Sequence, residues 1–279
     1  MANRWPGDAR CVVAFTVDFD GHGNEVGRDQ DPVGVRAAGG YSARRGIPRM
    51  LDIFARHGIP ATFFVPGYDA EQHPDTVRAI VAAGHEVAAH GYVHEGFDLL
   101  PDEEERRLLK THHLLSELTD TPPLGWRSPG GKKSSITLAV LRDLGYLYDS
   151  SDKDHDQPYP AIVEGRQTTG MVELPNNTSS LDDAPLYVHG ALTPMEMLEL
   201  WKAEFDSIYH ERGYFNLTYH PRAGFGSGTP ARARVIDRLL AYIGSFPDVH
   251  ITRMADLARW CLEPANGFMD TERWIGGRV

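Results

Sequence analysis

Two aspartates close an apolar run: Val12-Val13-Ala14-Phe15-Thr16-Val17 leads into Asp18-Phe19-Asp20. If the run is a strand, its two-residue period puts both carboxylates on one face. Side by side they repel unless a cation or a shared proton separates their roles. One carboxylate on a metal and one acting as a base is a natural division, although Asp-Phe-Asp-Gly-His is also good turn chemistry. Further along, His90-Gly91-Tyr92-Val93-His94 spaces two imidazoles four residues apart. That is about one helical turn, which would let both face one cation. His112-His113 is a second histidine cluster and reads as helix surface. A DxD together with an HxxxH offers three ligands and an open position, the pattern of a catalytic rather than a structural metal.

Three other positions could join them. Arg127 precedes Ser128-Pro129-Gly130-Gly131 and is a fixed, bidentate donor suited to holding a carboxylate. His220 follows Phe215-Asn216-Leu217-Thr218-Tyr219, and Asp149 ends a short apolar run. Each by itself is also an ordinary strand-end polar residue.

The elements that must position these groups read as α/β. Strand-like runs are Cys11–Asp20, Ala61–Pro66, Glu86–His90, Gly125–Ser128, Tyr146–Ser150, Met171–Leu174, Tyr214–His220 and His250–Thr252. Amphipathic helices fall between them, at Arg49–His57, Pro74–Ala83 and Asp102–Leu118. Thr193-Pro194-Met195-Glu196 is a capping box opening a helix to about Arg212, and Thr229-Pro230 opens another. Asp18, Asp20, His90, Arg127, Asp149 and His220 all lie at or just past the C-terminal end of a strand. In parallel α/β folds, that edge collects catalytic groups. Gly21 to Gly46 is polar, Gly-rich and aperiodic, and it leaves directly from the aspartates, so it is expected to wall or cover the site.

With 279 residues the chain can bury a sizeable core, and no linker or repeat divides it. A net charge of −11 excludes a nucleic-acid footprint and an anionic membrane surface as main partners. Cys11 and Cys261 allow one disulfide but no disulfide scaffold. The first residues lack a secretory pattern and no apolar run reaches the roughly 20 residues of a membrane span, so a cytoplasmic enzyme is expected.

In order, DxD, HxxxH, Arg127-Ser128-Pro129-Gly130-Gly131, a strand-end Asp and Leu217-Thr218-Tyr219-His220 resemble the polysaccharide deacetylase (NodB-homology) superfamily. Ala61-Thr62-Phe63-Phe64-Val65 and Ala83-Gly84-His85-Glu86-Val87 resemble its strand segments, and the likeness spans about residues 11–260. It implies one domain over 1–279, a distorted (β/α) barrel with about seven parallel strands, and divalent-metal amide hydrolysis. By position it implies Asp20, His90 and His94 as ligands, Zn²⁺ being the best-suited ion. It also implies Asp18 as base held by Arg127, and His220 as acid supported by Asp149.

The chain departs from the usual pattern at three points. Its aspartates are separated by Phe19, Gly91 stands where Ser or Thr is usual, and Tyr219 precedes the last histidine. With Tyr41-Ser42-Ala43-Arg44-Arg45-Gly46, these departures resemble a subgroup of intracellular peptidoglycan deacetylase-like proteins, cyclic imide hydrolases and metal-independent allantoinases. That subgroup implies a homo-oligomer, commonly a tetramer. A small cyclic amide or imide is the expected substrate, an N-acetyl-sugar the alternative. A catalytically silent carbohydrate-binding protein is the reading from another class.

Overall fold

The computed structural model describes residues 5–95, 99, 101–176 and 180–269. The strands are β1 (Cys11–Asp18), β2 (Thr62–Val65), β3 (Glu86–Ala89), β4 (Gly125–Trp126), β5 (Tyr148–Asp149), β6 (Tyr159–Val163), β7 (Arg166–Glu173), β8 (Tyr214–Tyr219) and β9 (Val249–Ile251). Between them lie α1 (Gly23–Val26), α2 (Ile47–His57), α3 (Gly67–Gln72), α4 (Pro74–Ala82) and α5 (Pro101–Thr119). The later helices are α6 (Thr137–Asp143), α7 (Asp183–Val188), α8 (Pro194–Glu211), α9 (Pro230–Ile243) and α10 (Met254–Leu262).

These strands form one curled sheet in the order β6-β7-β5-β4-β3-β2-β1-β8, with β9 also on β1. Every pairing is parallel except β6 with β7, so the expected α/β distorted barrel is present as a half-barrel with one antiparallel hairpin added. Among the described residues no strand closes the gap between β7 and β8. There Thr218 N–H donates to Leu181 O (3.0 Å), Asn216 Nδ2 donates to Pro175 O (2.9 Å), and Asp182 bridges Thr218.

β1 is buried along its whole length, which is why it reads as an unbroken apolar run. Val13, Phe15 and Val17 join the large core under the helices, whereas Val12 and Ala14 join a smaller one with Phe64, Tyr148 and Leu257. Thr16 and Asp18 continue the second, inward row. At the opposite end from the site, the first turn of α10 docks onto the inward face: Ala255 N–H donates to Glu86 Oε2 (2.9 Å) and Met254 N–H to Thr62 Oγ1 (2.9 Å). A helix N-terminus favours that buried acid.

All eight expected strand segments are present, most of them a residue or two shorter. β6 lies outside the sequence reading, because Pro160 removes a donor and demotes the run. It is an edge strand. The capping box at Thr193 forms as expected. Cys11 and Cys261 are both free and buried. Among the described residues no helix is long and apolar enough to cross a membrane.

Candidate metal centre and hydrolytic site

β1 delivers Asp18 as its last residue. Asp20 lies beyond the strand at φ +35°, so the shared face expected from strand periodicity is reached by a strained turn instead. Both carboxylates still converge on the same point. His90 Nε2 lies 3.9 Å from Asp18 Oδ2 and 3.6 Å from Asp20 Oδ1, and His94 Nε2 lies 3.3 Å from Asp20 Oδ1.

The two histidines meet through a turn rather than the helical turn that their spacing suggests. Gly91 has φ +66° and His94 φ +55°, and the buried Glu95 carboxylate accepts the N–H groups of Tyr92 (3.0 Å) and Val93 (2.6 Å). A Cβ on Gly91 would stand 2.8 Å from Pro129 Cγ, which accounts for glycine there. His90 Nδ1 donates to Arg127 O (2.8 Å), turning its Nε2 inward.

Asp20 Oδ1 and His90 Nε2 are buried and have no hydrogen-bond partner. With His94 they offer three ligand atoms mutually within 4.8 Å. Unpaired buried polar atoms are costly, and a divalent cation satisfies all three, so these residues fit the group. Burial raises the Asp20 carboxyl, but His94, His90 and His220 around it outweigh that and hold it well below the usual carboxylate range.

Arg127 is fully buried and fans out across the barrel interior. Nη1 donates to Asp18 Oδ1 (2.8 Å), Thr16 Oγ1 (3.0 Å) and Thr218 Oγ1 (3.2 Å), while Nε and Nη2 hold Ser150. Its guanidinium also lies 4.0 Å from the Phe64 ring centre. Asp18 is thereby fixed through Oδ1, leaving Oδ2 toward the site.

His220 Nε2 faces the aspartates, 3.9 Å from Asp18 Oδ2 and 3.7 Å from Asp20 Oδ2. The carboxylate behind it is Asp183, which corrects the expectation of Asp149. Asp183 Oδ1 lies 2.7 Å from His220 Nδ1, and Asp183 also accepts the His220 backbone N–H (3.1 Å). Burial pulls the imidazole down, but Asp183, Asp182 and Asp20 push it well above its ordinary value. Asp149 is committed elsewhere: Lys133 Nζ is 2.5 Å from its Oδ2 and Ser151 Oγ 2.5 Å from its Oδ1. Ser151 Oγ in turn accepts Ser128 N–H (2.9 Å), so Asp149 shapes the loop beside the site.

The segment from Gly21 to Gly46 walls the site, but it is not a plain loop. It winds through α1, a 3₁₀ turn at Gly34–Gly39 and a π turn at Ser42–Gly46 that runs into α2. The buried Asp69 carboxylate accepts Gly21 N–H (3.1 Å) and Gly23 N–H (3.0 Å). Arg222 donates to Gly21 O (2.8 Å) and pairs with Glu25. Asp69, Glu95, Asp182, Asp183 and Arg222 lie outside the sequence reading. The only local signal among them is Asp182, an N-cap residue type just ahead of Ala184-Pro185, and Asp182 does cap α7.

A half-barrel of parallel strands with Asp, His, His, Arg and His at their C-terminal ends is the architecture of a C–N hydrolase. Comparison with known sequences places it more narrowly: the chain belongs to the polysaccharide deacetylase family. The sequence model of that family, described as polysaccharide deacetylase, matches residues 38–148. The peptidoglycan deacetylase of Helicobacter pylori is 30% identical, covering 88% of this chain and 94% of its own. A Mycobacterium smegmatis structure provisionally described as a polysaccharide deacetylase superposes with a TM-score of 0.82 at 35% identity, covering 91% of each chain. The structure of Puue allantoinase superposes at 0.81 with 28% identity, covering 94% of each chain.

Proposed function

We propose that the protein is a divalent-metal hydrolase of a non-peptide C–N bond, acting on a small cyclic amide or imide. The carrying observation is a cavity of about 670 Å³ directly over Asp18, Asp20, His90, His94 and His220. Its walls include Asn24 and Arg28 from the long segment and Pro185, Val188 and His189 in and just after α7. That volume suits a small molecule. Likeness to an allantoinase over 94% of both chains supports the same choice, since allantoin is a cyclic ureide. An N-acetylated sugar is the second reading, favoured by the name of the H. pylori relative. Two imidazoles and one carboxylate suit Zn²⁺.

A divalent ion held by Asp20, His90 and His94 would supply a polarised substrate carbonyl and a bound water more acidic than bulk water. The remaining work belongs to side chains. Asp18 takes the proton of the attacking water at Oδ2, because Arg127 occupies Oδ1. His220 holds a proton at Nε2 and passes it to the departing nitrogen, while Asp183 keeps the other ring nitrogen protonated and oriented.

The test is a hydrolysis screen on metal-analysed protein, comparing succinimide, hydantoin and allantoin with N-acetylated chito-oligosaccharides. Ring opening with no acetate release is expected, and Asp18→Asn should keep its metal while losing about 10² to 10⁴ in rate. Acetate release alone would overturn the ring reading, and an Asp18→Asn variant of near wild-type rate would overturn the base assignment.

A further inference from the structure

Two cations line the same cavity and take no part in the chemistry above: Arg28 and Lys153. Among the described residues the Lys153 ammonium has neither a hydrogen bond nor an ion pair. Arg28 donates to Asn24 O (3.4 Å) and to the Asn24 side chain, but no carboxylate pairs with it. This is unusual in its surroundings. Lys133, on the same stretch of chain, lies within 4 Å of Asp149, Asp152 and Glu173 (2.5, 2.7 and 3.7 Å). Arg127 and Arg222 each have an acid as well. In a chain with 39 acidic and 28 basic residues, partners are in surplus, yet these two cations lack one.

Both reach toward the reaction centre within that one cavity. Lys153 packs on the Gly130-Gly131 turn: a Cβ on Gly131 would stand 3.3 Å from Lys153 Cε and 3.7 Å from Nζ. Gly131 has φ +75°, so the motif after Arg127 leaves a bare edge along which the ammonium reaches the cavity. Burial and the charge of Arg127 lower the Lys153 amine, against the pull of Asp182 and Asp18. Arg28 lines the same cavity, and its charge is felt at His94. Both residues are exposed at the rim of the cleft, where an unpaired cation gains from an incoming anion that is itself partly desolvated there, and a guanidinium fork suits a carboxylate.

We propose that Lys153 and Arg28 recognise a carboxylate carried by the substrate, beside the amide that is cut. Resting on the reading above for its scaffold, this makes the preferred substrate a small cyclic amide or imide bearing an acidic substituent. Both residues are specificity determinants; neither touches the reacting atoms.

The test crosses scaffold with charge: hydantoin, hydantoin-5-acetate, N-acetylglucosamine and N-acetylmuramic acid, each measured for kcat/KM. Hydantoin-5-acetate is expected to exceed hydantoin by about tenfold, what one partly desolvated ion pair supplies. In Lys153→Met and Arg28→Met that ratio should fall toward one through KM, with Lys153→Arg recovering part of it. Equal use of both rings, or variants that slow both alike, would overturn the carboxylate site and leave the ring reading standing. Turnover of the sugars alone overturns the ring reading, and the acid-to-neutral ratio within the sugar pair then decides the carboxylate. Turnover of none of the four overturns both.

Discussion

Asp183 settles which proton His220 can give. By accepting from Nδ1 it fixes the tautomer and, against burial, raises the imidazole well above its ordinary value, which favours the protonated ring that the proposed acid needs. The acid form is populated below that raised pKa and lost as pH rises through it. In Asp183→Asn the charge is gone and the pKa falls, so the alkaline limb of the kcat/KM profile should move to lower pH. An alkaline limb that stays in place would remove His220 as the acid. Asp18, Asp20, His90, Arg127 and His220 are legible in the sequence because each sits at or just past a strand end, in a fixed order, and His94 through its spacing from His90. Asp183 is not, because it stands 37 positions before His220 and their meeting depends on how the chain between them closes the barrel. Asp149 obeys the same strand-end rule and is nonetheless tied to Lys133 and Ser151. The rule reports nearness to the site's rim and says nothing about which neighbour a side chain faces.

The wall of the site hangs on few anchors. Asp69 alone takes the N–H groups of Gly21 and Gly23, and a Cβ on Gly21 would stand 2.2 Å from Asp69 Oδ1. Asp69→Ala leaves two buried donors unpaired, at a cost of about 1–3 kcal/mol each. Earlier proteolytic cutting within residues 27–36, together with a lower Tm, is the expected outcome; a variant cleaved no faster than wild type would show that Arg222 holds the segment unaided. The segment's presence beside the site follows from its length and its departure point. Its short helical turns do not, because tertiary partners such as Asp69, Arg222 and Ser42 supply the hydrogen bonds that local periodicity would otherwise reveal. The same limit applies to His90 and His94, whose spacing fits a helix but whose backbone is bent by Gly91 and captured by Glu95.

For the molecule as a whole, the proposed ligand triad would couple metal to stability. Asp20 Oδ1 and His90 Nε2 are buried without partners, so a bound ion stabilises the folded chain and a chelator removes that gain. Free metal at a hundredfold over Kd is worth about 2.7 kcal/mol, or roughly 5 to 10 °C in Tm for a chain of this size. Scanning calorimetry should record that fall on chelation and its recovery with Zn²⁺; His90→Ala should give the lower Tm with or without metal. A Tm indifferent to chelation in the wild type would deny the triad an ion. The parallel half-barrel itself is legible in the alternation of apolar runs and amphipathic helices. The hairpin of β6 and β7 is not, since an edge strand can carry Pro160 without loss.

The seam between β7 and β8 has a mechanical consequence. The proposed base and metal ligands grow from β1 and the turn after β3, whereas Asp182 and Asp183 are tied to β8 at Thr218 and His220. A substitution that loosened Asp183 from His220 would remove the support of the proposed acid while the ligand triad stayed assembled. The two halves of the proposed chemistry thus hang on different elements, and one could be idled without dismantling the other.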